Sequence, residues 1–164
     1  MFRFIMACLI LTMGIFSLPN ASLAEGEEEA AALKAIETLF EAMNRHDAEL
    51  ASTVLMEDGL LRSTREKDGE IIIQTTSHES LIAAIGSGGG VWVERYWDPI
   101  VFVSSGIAMI WVNYDFHVDG KLSHCGIDLF SMVKQESHWK ISSIMDTREV
   151  DGCEDSPLGP LAAD

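Results

Sequence analysis

The spacing of hydrophobic and polar positions changes period once along this chain. Between Glu27 and Arg45 the apolar residues Leu33, Ile36, Phe40 and Met43 recur at intervals of three and four, which predicts a helix with one apolar stripe. Its Glu27-Glu28-Glu29 start suits the positive end of a helix dipole. Asn44–Asp47 interrupts the pattern, and Asp47 is placed to cap a second, short helix reaching about Val54. A small hairpin follows, Gly59–Arg65 and Glu70–Thr75, around Lys67-Asp68-Gly69. Thr76 with Glu79 reads as a capping box for a third helix over Ser77–Ile85, which the glycine-rich run from Gly86 to Gly90 ends.

From Val91 onward apolar and polar residues alternate, the period of strands. Val91–Tyr96 and Ile100–Ser104 are separated by a bend at Asp98-Pro99, because proline cannot donate to a central ladder. Ile107–Val118, Leu122–Val133 and Trp139–Met145 follow, joined by turns at Asp119-Gly120 and Lys134–His138. Asp-Gly between alternating runs is a strong hairpin signal, since both turn positions need positive φ. With 119 and 120 as the loop, Asp115 is expected opposite His124, Asn113 opposite Gly126, and Trp111 opposite Asp128. These residues would share a face with Phe130, Met132, Trp139 and Ile141, and polar groups on a core face mark a lined cavity. The other face would carry Ile110, Val112, Tyr114, Phe116, Ile127, Leu129 and Ile144, too apolar for solvent, and so predicts a two-fold copy of the chain as partner. Helices first and antiparallel strands after make an α+β fold.

The first residues add a compartment. Arg3, the apolar run Phe4–Leu18 and Ser22-Leu23-Ala24 have the form of a secretory signal over residues 1–24, with cleavage expected before Glu25. A secreted or periplasmic protein is expected, without a membrane anchor once the signal is removed. Removing 24 of 164 residues leaves 140, enough for one domain with its own core, drawn here as 25–153 with a flexible tail over 154–164 around Pro157 and Pro160. The loss of Arg3 and of no acid takes the formal charge from -15 to -16. Such a surface repels phosphate backbones and anionic lipid, which excludes nucleic acid and anionic membranes as partners. Cys125 and Cys153 remain; in an oxidising compartment they form either one disulfide or two buried free thiols.

Candidate chemistry lies on the alternating strands. Asp128, flanked by Ile127 and Leu129, must be paired or solvated within a cavity, where burial would raise its pKa toward that of a general acid or base. The bland alternative is an aspartate bonded to Trp111 that holds a sheet edge. His124 facing Asp115 would make an oriented imidazole, or merely a cross-strand charge pair. Trp111, Asn113, Phe130, Met132, Trp139 and Trp92 are the expected ligand contacts. Trp92, Glu94 and Tyr96 share one strand face and Val93, Arg95 and Trp97 the other; either set could wall the pocket or pack as core, with Glu94 and Arg95 in structural ion pairs with other strands. Asp146 and Arg148 read as an edge salt bridge or, alternatively, as ligand contacts, and His117 and His78 as solvated residues. Asp115, His124 and Asp128 lack the spacing of known zinc motifs, so no metal is assigned, and no cofactor is implied.

Several phrases resemble the NTF2-like (nuclear transport factor 2-like, SnoaL-like) superfamily, in particular its exported bacterial members, over about Ala31–Cys153. They are Phe40-Glu41-Ala42-Met43-Asn44 leading to Asp47, Trp97-Asp98-Pro99, and Trp111-Val112-Asn113-Tyr114-Asp115-Phe116. Asp119-Gly120-Lys121, His124-Cys125-Gly126-Ile127-Asp128, Trp139-Lys140-Ile141 and Asp146-Thr147-Arg148 complete the set. The resemblance implies a cone, helices wrapped by a strongly curved, mostly antiparallel sheet, open at one end into an apolar pocket, and a dimer through the convex sheet face. It implies a small, largely apolar ligand, with or without cofactor-free acid/base chemistry of the isomerase, dehydratase or cyclase type. The alternative is a non-catalytic binding or protein-interaction module, because fold does not fix function.

Overall fold

A computed structural model describes residues 21–161, so the expected signal segment up to residue 20 lies outside the described residues. The described residues form three helices and six strands in the order α1 (Ala21–Arg45), α2 (Ala48–Val54), β1 (Leu55–Lys67), β2 (Glu70–Ser77), α3 (His78–Ser87), β3 (Trp92–Ser104), β4 (Ile107–Val118), β5 (Lys121–Gln135) and β6 (His138–Thr147). Helix α1 begins before the expected Glu27 and runs through the expected cleavage position. Asp47 caps α2, its side chain accepting from the Leu50 amide. The cap of α3 is Ser77, which accepts from the Ser80 amide, one residue beyond the expected Thr76.

The strands form one sheet in the order β2-β1-β6-β5-β4-β3. Every neighbouring pair is antiparallel except β1 with β6, so the sheet is mixed and the fold is α+β. The stripe of α1 buries Ile36, Leu39 and Met43 with Ile110, Phe130, Met132 and Ile141 from the sheet. Each such side chain contributes about 1.5–3 kcal/mol on leaving water, which holds the helices on one face.

One extra residue sets the register of the central hairpin. Asp119 and Gly120 have positive φ (51° and 72°), as a two-residue turn requires, and Val118 and His117 pair with Lys121 and Leu122. Ser123 then bulges, and from Phe116↔His124 onward the partners are shifted by one. Asp115 therefore pairs with Cys125, Asn113 with Ile127, and Trp111 with Leu129. A shift of one residue turns a whole strand face over. The helix-covered face of β4 is thus Ala108, Ile110, Val112, Tyr114 and Phe116, while Trp111, Asn113 and Asp115 point to the outer face. This corrects the expected register, and with it the outer apolar set. Ile110, Val112, Tyr114 and Ile144 are core residues, and the outer face instead carries the cross-strand row Ile100, Trp111, Leu129 and Met145.

Two other expectations change. His78 is fully buried, its Nδ1 2.9 Å from the Met56 carbonyl oxygen, not a surface residue. A Cβ at Gly59 would lie 2.0 Å from that same nitrogen. Gly59→Ala is expected to cost about 2 kcal/mol in a urea titration, because a packed ring has to move. His117 is also buried rather than solvated, with Nε2 3.4 Å from Asp115 Oδ1.

Beyond β6 the chain is tied back to the domain. Glu149 and Cys125 exchange both backbone hydrogen bonds, and Cys125 is joined to Cys153 by a disulfide with the Cα atoms 5.9 Å apart. Arg95 Nη1 donates to the Gly159 carbonyl at 2.8 Å. The tail thus lies over β3 and β4 on the outer face.

Candidate functional site

A cavity of about 240 Å³ opens between the helices and the sheet. Leu39, Phe40 and Met43 of α1, Leu81 of α3 and Leu61 of β1 wall one side, with Trp92, Phe116, Phe130 and Ile144 from the sheet. Its polar lining consists of Glu94, Tyr114, His124, Asp128, Asp146 and Arg148. Alternation explains the gathering: Asp128 and Asp146 are direct cross-strand partners, and Tyr114 follows Val112, the partner of Asp128 on β4.

Glu94 and Asp128 lie close enough for each carboxyl group to act on the other's titration. Two carboxylates at such range repel when both are charged, which favours a proton kept on one of them. Burial pushes Glu94 up to about 7, with the negative charge of Asp146 adding to it and the bond from Asp128 opposing it. Asp128, only 2% exposed, is raised well above the usual carboxylate range, first by burial and then by Glu94. Both shifts favour a proton retained on the pair as pH approaches neutrality. Asp146 accepts from Arg148 Nε at 2.8 Å through Oδ2, and the Tyr114 hydroxyl donates to the Thr147 carbonyl at 2.9 Å. Burial, and then Asp128, raises the Tyr114 phenol. His124 stacks edge-on to Tyr114 and is lowered to about 4 by burial and by Arg148, so its imidazole is neutral at pH 7.

Of the residues read from sequence, the structure brings Asp128, His124, Phe130 and Trp92 to the cavity. Asp115 is not among them. It lies on the outer face, 4% exposed, bound by Arg95 through Nε at 2.9 Å and Nη2 at 2.5 Å. Burial alone would raise its pKa, but the Arg95 and His117 contacts outweigh it and hold it below the usual value. Trp111 is 44% exposed on that face and Asn113 lies beside the tail. Met132 and Trp139 are core residues, the latter donating from Nε1 to Glu28 at 3.1 Å. Of the ion pairs expected of Glu94 and Arg95 with other strands, Arg95 makes one, with Asp115 of β4, while Glu94 turns to the opposite face and into the cavity. Tyr114 was expected on the other face, while Glu94 as a pocket wall and Arg148 as a ligand contact were alternatives to structural roles. The usable signal for Glu94 was an acid between Trp92 and Tyr96 on one face of an alternating strand.

No protein-family model matches the chain, and no curated protein matches it in sequence. Solved structures do. A protein of unknown function from Mycobacterium tuberculosis superposes with TM-score 0.66 at 15% identity, covering 88% of this chain and 82% of that one. An NTF2-like protein from Cytophaga hutchinsonii gives 0.59 at 21% identity, over 71% and 94%. An NTF2-like protein of unknown function from Silicibacter pomeroyi gives 0.55 at 20% identity, over 76% and 98%. At these identities the likeness is one of fold, and the fold of this chain is NTF2-like.

Proposed function

We propose that this NTF2-like fold is an exported small-molecule domain whose cavity takes a largely apolar ligand and moves a proton on it without a cofactor. The observation that carries the reading is the proton-sharing Glu94–Asp128 pair inside an apolar cavity. A carboxyl group with a pKa near 7 is matched to accept a proton at neutral pH and return it. Asp128, kept protonated by burial, can donate a hydrogen bond to an oxygen on which negative charge develops. Neutral His124 is a hydrogen-bonding wall in this scheme and not a proton store. The Tyr114 hydroxyl, committed to Thr147, fixes the wall behind Asp146. The disulfide and the apolar run before residue 20 support export. The outer row Ile100, Trp111, Leu129 and Met145, with Phe102 59% and Ile107 61% exposed, supports a homodimer through that face.

Proton exchange in heavy water tests the chemistry. In a panel of small enolisable ketones followed by NMR, the protein is expected to speed exchange beside the carbonyl of at least one member. Glu94→Gln and Asp128→Asn should each slow it by about 100-fold or more, the usual scale of general acid–base catalysis. A wild-type rate equal to that of buffer, with a ligand still captured in the cavity, would assign the site to binding alone.

A further inference from the structure

The charges in the cavity narrow the ligand class further, on the reading that the cavity holds a small apolar molecule. Asp146 and Arg148 form an ion pair and cancel. Glu94 and Asp128 with one shared proton carry a single negative charge. Asp146 Oδ1 is buried and accepts a hydrogen bond from none of the described residues, and Asp128 Oδ2 has no donor there beyond the proton shared with Glu94. A buried acceptor without a donor loses its hydration for nothing in return, so Asp146 Oδ1 calls for a donor from the ligand. An anion would meet a net negative charge at close range, and a neutral hydroxyl could serve Asp146 Oδ1 but would leave the charge of the Glu94–Asp128 pair unbalanced.

We propose that the cavity binds an apolar amine as its ammonium ion, with the charged nitrogen among Glu94, Asp128 and Asp146. An ammonium group has three N–H donors, and three carboxyl groups surround the polar end of the cavity. The rest of the lining suits the same ligand, because the faces of Trp92, Phe40, Phe116 and Phe130 attract a cation and bury an apolar body.

The ammonium charge and the shared proton compete for the same oxygens, so affinity should rise with pH. The groups facing the pair are Tyr114 from β4, His124 from β5, Asp146 from β6 and Arg148 beyond it. Helices α1 and α3 and strand β1 present only Leu39, Phe40, Met43, Leu81 and Leu61. His124 is neutral throughout the range above pH 6, and the titration is that of Glu94 with Asp128.

Calorimetric titration of the domain with benzylamine and with benzyl alcohol, a neutral molecule of the same size, separates the possibilities. At pH 8 benzylamine is expected to bind at least tenfold more tightly. Its affinity should fall by about tenfold between pH 8 and pH 6, where it stays protonated, while that of benzyl alcohol stays level. Glu94→Gln and Asp128→Asn should each erase most of the preference. Equal affinity for the two probes overturns the amine assignment and leaves the apolar cavity standing. Failure of both to bind overturns the amine and the cavity reading together.

Discussion

Glu94→Gln is expected to raise the melting temperature at pH 8 by on the order of 10 °C for a domain of this size, and to leave it unchanged near pH 4. The sign follows from linkage. Burial lifts the folded-state pKa of Glu94 from 4.5 to about 7, so between those values the folded chain binds more protons than the unfolded one. Stability contributed by this group is present below pH 4.5 and is lost as pH climbs through 7. The loss is about 3 kcal/mol, the free energy of a shift of this size. Glutamine removes the ionisation and keeps the shape and the hydrogen bond to Asp128. Scanning calorimetry at the two pH values is the measurement, and an unchanged or lowered melting temperature at pH 8 would mean that Glu94 is solvated. The same substitution is expected to slow proton transfer by about 100-fold or more, so stability and activity should move in opposite directions, as they do where a site keeps a buried charge for use.

Cys153→Ser is expected to cost about 3 to 4 kcal/mol in guanidinium titration, the entropy of a loop of this length. The bridge spans 28 residues and closes a ring around the β5–β6 hairpin. Reduction of the wild-type protein should reproduce the loss. The variant should also expose the outer face near β3, because the bridge holds the tail whose Gly159 carbonyl satisfies Arg95. Faster amide exchange at the Glu149 and Cys125 amides, which now bond across the bridge, would mark that release. Equal stability of the reduced and oxidised chains would show that packing of the tail suffices without the bond.

Local signals placed most of the framework. The three- and four-residue spacing of Leu33, Ile36, Phe40 and Met43 specified α1, Asp47 specified its own cap, and Asp119-Gly120 specified a turn with two positive φ angles. Those features depend on residues a few positions apart, and a sequence displays them directly. Strand alternation was equally legible and located Asp128, His124 and Phe130 on a common inner face.

The contribution of β4 to the site was lost at one position. Ser123 bulges out of β5, so every β4 residue before His117 pairs one place away from the count that a plain two-residue hairpin dictates. Asp115, Asn113 and Trp111 thereby moved to the outer face, and Tyr114 and Phe116 took their places in the cavity. A bulge of this kind is selected by packing on both faces at once, which no alternation along one strand encodes.

By itself, the sequence determined the order of helices and strands, the turn between β4 and β5 and the residues able to carry charge in the core, because periodicity and turn chemistry are local. Tertiary structure alone decided that Glu94 and Asp128 meet and that Arg148 balances Asp146, because these groups come from separate strands and their proton is shared only where burial makes two separate charges too costly.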